Sequence, residues 1–275
     1  MQLFLGIDGG GTGCRAAVAD ESGRVLGRSE AGPANIASDP DGAAQNIVKA
    51  AADALRLAGG GKIFAAGLGL AGANAAGAAD RLRDVLPFDR VAVVTDGITA
   101  VKGALGAADG VVAALGTGSV FAVQRGGVIR QIGGRGLVLG DEASGAWIGR
   151  AILRAALRAV DGMQPMTPLL AALIEEGGGA DAVVAFSLRA RPVEFAALAP
   201  RVVDSGDTAA VAVMAEALTD AAEAVALLQG DEGLPVVFLG GLGTVFADRL
   251  AGRFAIRPAL GTALDGALTL ARETA

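Results

Sequence analysis

Histidine and tyrosine are absent from this chain of 275 residues, and cysteine occurs once. Without histidine, the chain cannot form a Ser-His-Asp triad, a histidine general base or a zinc site that includes histidine. The single cysteine, Cys14, excludes a disulfide framework within the chain and any metal site made of cysteines alone. Any acid–base chemistry therefore falls to aspartate or glutamate, with lysine a distant second.

Lysine is also scarce, since Lys49, Lys62 and Lys102 are the only lysines, and the formal net charge is −6. A chain with no basic run does not favour nucleic acid as its partner. Its uncharged stretches are broken by glycine and are shorter than the ~18–20 residues of a membrane span. No basic leader precedes an apolar run. We therefore expect no nucleic-acid partner, no membrane partner and a reducing, cytoplasmic compartment.

The opening stretch "LFLGIDGGGTGCRAAVAD" contains a glycine-rich connection between two predicted strands, Leu3–Ile7 and Cys14–Ala19. Glycine lets a ligand or another backbone approach closely. One interpretation is a loose turn. The other is a cradle of backbone N–H groups for phosphate, with Asp8 holding a metal beside it. This loop alone leaves both interpretations open.

A second stretch, "GTGSVFAVQRGGVIRQIG" from Gly116, resembles the segment "GTGCRAAVADESGRVLG" from Gly11. Both read as a strand, a glycine-threonine turn and a further strand. A similarity about a hundred residues apart favours a duplicated domain over a short-period solenoid. We predict a lobe at 1–105 and another at 106–275, with the ligand in a cleft between them.

Between and after these hairpins, helical spacing alternates with apolar strand-like runs, which predicts an α/β fold with a mixed sheet and flanking helices. Most of the region after 142 is predicted helical, until "LPVVFLGGLG" returns to a strand and a glycine turn. The predicted helices are 39–58, 73–86, 98–105, 142–160, 168–176, 193–203, 208–228 and 261–272.

Two aspartates follow strands or glycine turns in positions typical of functional residues. Asp96 ends "RVAVVTD" and is either a general base or the N-cap of a helix beginning near Ile98. Asp141, in "GDEASGAW", either caps a helix beginning at Glu142 or binds a polar substrate. "GLGLAG" at Gly67 matches a dinucleotide fingerprint, but it lies outside the first strand–helix unit and lacks the acidic residue that should follow.

Taken together, the chain resembles the sugar-kinase and actin-like ATPase superfamily, in which two ribonuclease H-like lobes clamp ATP between glycine-rich hairpins. It is most similar to the N-acetylglucosamine kinase family, which groups with ATPases that activate benzoyl-CoA reductase and 2-hydroxyacyl-CoA dehydratases. The motifs that carry the resemblance occur in order along nearly the whole chain: "DGGGT", "GPAN", "GLAG", "TDGITA", "GTGS", "GGRGLVLGDEASG" and "GGLG".

The resemblance implies a role for each matching residue. Asp8 would position Mg²⁺, Asp96 would deprotonate the sugar 6-hydroxyl, and Asn35 and Asp141 would bind sugar hydroxyls. The residues implied to bind ATP are Gly10, Gly11, Thr12, Gly13, Gly116, Thr117, Gly118, Gly240 and Gly241, of which the last two border the nucleoside.

The resemblance thus implies an ATP- and Mg²⁺-dependent kinase that phosphorylates the 6-hydroxyl of an amino sugar, N-acetylglucosamine or glucosamine. We also expect a homodimer. Two alternatives stay open from the sequence. A redox-coupled activator ATPase would need an iron–sulfur cluster, which usually takes four thiolates, and a dimer of this chain offers two cysteines. A sugar or nucleotide sensor would bind without turnover.

Overall fold

The computed structural model describes residues 2–275, which divide into two compact units. Unit 1 contains the chain up to Asp109 together with 124–129 and 258–275. Unit 2 contains 110–123 and 130–257. The sequence placed the C-terminal residues in the second lobe, whereas in the structure they belong to unit 1. The reason is that the last helix of the chain packs on the first sheet.

Unit 1 is built on a mixed five-stranded sheet in the order β3-β2-β1-β4-β5. β1 pairs antiparallel with β2 and parallel with β4, and β5 continues the parallel side. This arrangement confirms the ribonuclease H-like topology expected for a lobe. The strands are β1 (Leu3–Gly9), β2 (Cys14–Ala19), β3 (Val25–Ala31), β4 (Ile63–Leu70) and β5 (Val91–Val94).

Four helices cover this sheet: α1 (Pro40–Leu57), α2 (Ala78–Val85), α3 (Asp96–Leu105) and the last helix, α11 (Ala263–Glu273). α1 begins where Asp39 accepts a hydrogen bond from the Gly42 N–H, with proline in the first turn. Its apolar face buries Ile47 and several alanines against the sheet. α2 begins at Ala78, later than the predicted start at 73.

Glycines allow α11 and α3 to approach each other and the sheet closely. A Cβ placed on Gly266 would lie 1.9 Å from the Thr99 carbonyl oxygen. A Cβ on Gly67 would lie 2.3 Å from the Ala267 carbonyl oxygen. Real side chains cannot occupy such positions without displacing a helix. Gly67 and Gly69 of "GLGLAG" are thus explained by packing against α11 and α3.

Unit 2 repeats the strand order of unit 1 over four strands, β8-β7-β6-β9. β6 and β9 are parallel, and a parallel bridge from Val236 to Ile256 lies where β5 lies in unit 1. The shared order agrees with the internal sequence similarity. The strands are β6 (Gly110–Leu115), β7 (Ser119–Arg125), β8 (Val128–Gly133) and β9 (Val236–Leu239).

Most of the helices of unit 2 lie between β8 and β9. They are α4 (Gly145–Val160), α5 (Pro168–Glu176), α6 (Ala180–Ser187), α7 (Pro192–Ala196), α8 (Ala199–Val203) and α9 (Thr208–Gln229). The remaining helix of unit 2, α10 (Gly243–Leu250), follows β9. The predicted continuous helix at 193–203 is two short helices, and α6 was not predicted.

Each unit has its own apolar core. In unit 1, side chains of β1, β2 and β4 pack against α1; in unit 2, β6 and β7 pack with α4 and α9. Within the described residues, no helix is both long enough and apolar enough to cross a bilayer.

Candidate functional site

The first glycine loop presents free backbone donors. The Gly10 N–H donates to the Gly13 carbonyl at 2.9 Å and closes the turn. The N–H groups of Gly11, Thr12 and Gly13 donate to no acceptor within residues 2–275. A Cβ on Gly10 or Gly11 would have no heavy atom within 4 Å. Neighbouring N–H groups without partners in an open loop are suited to binding an anion.

Asp8 stands at the base of this loop, near the end of β1, and Arg15 is directly opposite on β2. Arg15 Nη2 donates to Asp8 Oδ2 at 2.5 Å. The aspartate side chain is 11% exposed, whereas the arginine side chain is 61% exposed. A cavity of about 460 Å³ is lined by both residues and by the loop, with Glu30 beside them. Arg15 is not among the site residues expected from the sequence, although the register of the hairpin places its charge opposite Asp8.

Asp96 is the first residue of α3, and the N-cap is Thr95, whose side chain makes no capping bond. The helix-cap interpretation of Asp96 is therefore wrong. Asp96 Oδ1 accepts a hydrogen bond from the Gly97 N–H at 2.9 Å. Asp96 is exposed, but the protein beside its carboxyl group removes part of the hydration of that group and raises its pKa. The charge of Asp8 raises this pKa further, while the Gly97 bond opposes the shift.

Asp8 near the end of β1 and Asp96 just after β5 lie at the same edge of the sheet of unit 1, because β1, β4 and β5 are parallel neighbours. Beside Asp96, the Thr95 hydroxyl is the one buried side-chain polar atom in residues 2–275 without a hydrogen-bond partner. Buried polar groups normally have a partner. Thr95 was not singled out from sequence, because burial of a hydroxyl at a strand end has no local signal.

Asn35 lies in the segment between β3 and α1. Its Oδ1 accepts hydrogen bonds from the Ala37 N–H at 3.0 Å and the Ser38 N–H at 3.2 Å. The oxygen therefore shapes the turn. The amide nitrogen has no acceptor within residues 2–275 and keeps its two donor hydrogens for a ligand.

The second glycine loop, in unit 2, repeats the geometry of the first. The Gly116 N–H donates to the Gly118 carbonyl at 2.9 Å, and the N–H groups of Thr117 and Gly118 have no acceptor in the described chain. The carbonyls of Gly116 and Thr117 accept from the first two N–H groups of α4. The loop is thus fixed to a helix N-terminus while two of its own donors remain available.

Asp141 is buried beside this second loop, since a Cβ placed on Gly118 would lie 2.9 Å from Asp141 Oδ2. Its Oδ1 accepts from the Gly136 N–H at 3.0 Å. Burial raises the pKa of this carboxyl, and the charge of Glu142 adds to the rise. Asp141 has φ of +57°, outside the usual range for non-glycine residues. Strained backbone of this kind is concentrated at functional sites.

The expectation that α4 begins at Glu142 is wrong, and so is the interpretation of Asp141 as its cap. The helix begins at Gly145, because the Ser144 hydroxyl accepts from the Trp147 N–H at 3.1 Å. The preceding residues form a separate loop that aims the Asp141 side chain at the glycine turn.

The turn after β9 contains two glycines with different requirements. Gly240 has φ of +85°, and a Cβ there would lie 2.3 Å from the Leu115 carbonyl oxygen. At Gly241 a Cβ would meet nothing within 4 Å. The first glycine is therefore needed by the fold, while the second leaves open space. Unit 2 thus brings together Gly116, Gly118, Asp141 and Gly240.

The residues present fit a magnesium nucleotide. No cluster of three or more histidine, cysteine, aspartate or glutamate side chains occurs in residues 2–275. Mg²⁺ needs no such cluster, because it is usually held by one or two carboxylates together with phosphate oxygens and water. Asp8, beside the free N–H groups of the first loop, meets that requirement.

Comparison with known proteins agrees with these features. Residues 5–248 match the BadF/BadG/BcrA/BcrD ATPase family. The glucosamine kinase GspK of Vibrio cholerae is 31% identical over 80% of this chain and 78% of its own length. The chain belongs to this ATPase family, which confirms the resemblance stated from its motifs.

Two further relatives have related names. The N-acetylmuramic acid/N-acetylglucosamine kinase of Clostridium acetobutylicum is 30% identical over 58% of this chain and 55% of its own. The crystal structure of a proposed N-acetylglucosamine kinase from Chromobacterium violaceum is 33% identical, with a TM-score of 0.86 over 98% of this chain and 99% of that one.

Proposed function

We propose that this protein is an ATP-dependent kinase that phosphorylates an amino sugar, glucosamine or N-acetylglucosamine, at the 6-hydroxyl. The observation that carries the proposal is that Asp8 and Asp96 lie at the carboxyl ends of parallel strands of unit 1, with the free N–H groups of the first loop following Asp8. The names of the relatives support an amino sugar as the acceptor. We infer phosphorylation at the 6-hydroxyl because Asp96 matches the aspartate that acts as the general base in the kinase family.

The glycine loops would bind the phosphates. Gly11, Thr12 and Gly13 would donate their unpaired N–H groups to the outer phosphates, without needing lysine, and Gly10 would border the phosphates while its N–H closes the turn. In unit 2, Thr117 and Gly118 would donate their unpaired N–H groups, and Gly116 would close the turn. Phosphoryl transfer depends mainly on positioning and charge neutralisation, so backbone donors and a metal suffice. Gly240 and Gly241 would border the nucleoside, where Gly241 leaves room for it.

Asp96 would accept the proton of the sugar hydroxyl as that oxygen attacks the terminal phosphate. A carboxylate whose pKa is raised is a better proton acceptor than an ordinary one. Thr95 offers a hydroxyl without a partner next to this base. Asn35 would donate to a sugar hydroxyl, and the carboxylate of Asp141 would accept from one.

Mg²⁺, held through Asp8, would supply positive charge to the phosphate oxygens. The Asp8 carboxylate would orient it, and Arg15 would have to release at least part of its hydrogen bond for this purpose. The same loop that presents free N–H groups would therefore receive the metal-bound phosphates.

The activator-ATPase alternative needs thiolate ligands for an iron–sulfur cluster. Burial raises the pKa of the Cys14 thiol to about 12, and the charge of Asp8 contributes to this rise. The thiol is therefore protonated at neutral pH, and only the thiolate binds metals well. This argues for the kinase and against a cluster.

The test is an ADP-release assay with glucosamine, N-acetylglucosamine, N-acetylmuramic acid and glucose. We expect sugar-dependent ADP release that needs Mg²⁺, and a product with phosphorus coupled to the C6 protons by NMR. A 6-deoxy sugar should give no release above the sugar-free rate. Nucleotide binding without turnover on any of these sugars would contradict the proposal and support a sensor. Bound iron and sulfide after anaerobic purification would support the activator ATPase.

The cytoplasmic location and the homodimer stay predictions from the sequence. Sedimentation at two protein concentrations tests the latter.

A further inference from the structure

A second cavity lies within unit 2 and runs along α4 from Trp147, in the first turn of the helix, to Arg158. Its volume is about 780 Å³, which is sufficient for a metabolite-sized ligand. Its walls are formed by α4, by the residues that lead into α5 and by the first half of α9. Arg150, Arg154 and Arg158 line it from successive turns of α4, because residues four apart share a helix face.

The arginines of this groove are not neutralised by the surrounding protein. Arg150 donates to the Leu137 carbonyl, whereas Arg154 and Arg158 make no hydrogen bond or ion pair within residues 2–275. Glu216 is the one acidic side chain among the lining residues. The groove therefore concentrates positive charge in a protein whose formal net charge is −6.

The rest of the lining is mixed. Gln164 and Thr208 supply polar groups, while Trp147 and Val213 supply apolar surface. A planar guanidinium donates two parallel hydrogen bonds to phosphate, with a geometry that lysine does not match. Glu216 is suited to accept from hydroxyl groups, and the apolar wall is suited to the face of a ring.

We propose that this groove is a binding site for a small phosphate-bearing molecule that also carries hydroxyl groups, either a sugar phosphate or a nucleoside monophosphate. Arg154 and Arg158 bind its phosphate, and Glu216 accepts from its hydroxyls. Arg154 lies nine residues into α4, a rise of about 14 Å from Gly145 at the second glycine loop. The two arginines that bind the phosphate are therefore distant from the glycine loop of this unit, while the groove itself extends to Trp147 in the first turn of α4.

The test is calorimetric binding of glucose 6-phosphate and of AMP to the full chain at low salt, with glucose as the neutral control. Arg154→Gln/Arg158→Gln removes both free guanidinium groups and leaves Arg150 on Leu137. Arg189→Gln, at an exposed arginine outside the groove, is the matched control. Unchanged circular dichroism and thermal midpoint show that each variant is folded.

We expect the wild type and Arg189→Gln to bind glucose 6-phosphate, AMP or both, and the double variant to bind at least tenfold more weakly. Tenfold in affinity corresponds to about 1.4 kcal/mol. Binding of glucose 6-phosphate would identify the ligand class as a sugar phosphate, and binding of AMP would identify it as a nucleoside monophosphate.

Equal affinity in the double variant and the wild type would mean that the phosphate binds elsewhere, and would overturn the proposal. Absence of binding by both ligands would overturn it as well. Sugar-dependent ADP release by the double variant is measured in parallel, so that failure of this site and failure of the proposed kinase activity are distinguished.

Discussion

Arg15 Nη2 lies 2.5 Å from Asp8 Oδ2, and the two residues are directly opposed on neighbouring antiparallel strands. The carboxylate proposed to hold Mg²⁺ is therefore already bound to a cation of the protein itself. Because the guanidinium is largely exposed, the ion pair is weak and can be exchanged for another cation. Arg15 would therefore compete with the proposed metal for Asp8.

Arg15→Gln should lower the Mg²⁺ concentration that gives half-maximal ADP release. Exposed ion pairs contribute about 0.2–1 kcal/mol, so the decrease should reach at most about fivefold. Lys49→Gln removes a comparable exposed ion pair, with Asp53 on α1, and is the control. A higher Mg²⁺ requirement in Arg15→Gln would show that Arg15 assists the nucleotide instead of competing with the metal.

Asp96→Asn should retain ATP binding and lose turnover. Removal of a positioned general base costs about 10²–10⁴ in rate. The asparagine Oδ1 can still accept from the Gly97 N–H, so α3 should begin as before. Turnover numbers at saturating sugar measure the effect, with Asp84→Asn at an exposed position of α2 as control. An unchanged turnover number would remove Asp96 from the proposed role.

The same substitution should stabilise the protein at neutral pH. The pKa of Asp96 is raised in the folded state, so its favourable contribution is present below the ordinary aspartate pKa. That contribution is lost as the pH rises through the raised pKa, where the desolvated carboxyl must ionise. Asp96→Asn avoids this cost, so its thermal midpoint should exceed that of the wild type at pH 7 and converge with it in acid. If the thermal midpoints of Asp96→Asn and the wild type differed by the same amount at pH 7 and in acid, the result would argue against a raised pKa of Asp96.

Alanine should affect different properties at Gly240 and at Gly241: stability at the first position and nucleotide binding at the second. Gly240→Ala forces a side chain into a left-handed conformation and against the Leu115 carbonyl, which should cost about 1–3 kcal/mol of unfolding free energy. Gly241→Ala meets no protein atom, so its stability should be unchanged while its KM for ATP rises. Urea unfolding and initial rates measure the two effects. A normal KM in a stable Gly241→Ala protein would place the nucleoside elsewhere.

Asp141→Asn should raise the KM for the sugar about tenfold and leave the KM for ATP unchanged. Asparagine tolerates positive φ and can accept from the Gly136 N–H, so the loop should keep its shape. The charged acceptor for a sugar hydroxyl is lost, and such hydrogen bonds contribute about 1.5–3 kcal/mol. Glu142→Gln, the exposed neighbour, is the control. A change confined to the KM for ATP would contradict the sugar-binding role.

Among N-acetylglucosamine, glucosamine and glucose, we expect N-acetylglucosamine to have the largest specificity constant. The surroundings of the second loop include Val120, Phe121 and Ala143, which suit an acetamido methyl group. A free ammonium group would instead favour a carboxylate. A preference of tenfold or more for glucosamine would show that a carboxylate, for which Asp141 is the nearest candidate in unit 2, binds the ammonium group.

Much of the fold was determined by local sequence. The alternation in β1 and β2 and the glycines between them predicted the first hairpin, and the repeat at Gly116 predicted the second. Helices with strong start signals were predicted closely, such as α5, where Thr167 caps and Pro168 follows. These features depend on neighbours within a few residues, which the sequence displays directly.

Other features depended on residues distant in the chain. The sequence did not indicate that α11 packs on the first sheet, because its contacts with Gly67 and Gly103 join segments more than a hundred residues apart. It identified Asp8, Asp96 and Asp141 but left their roles open. Only tertiary structure raises the pKa of the Asp96 carboxyl and turns Asp141 towards Gly118. Burial and charge proximity, which set these properties, arise when separate strands and helices pack together.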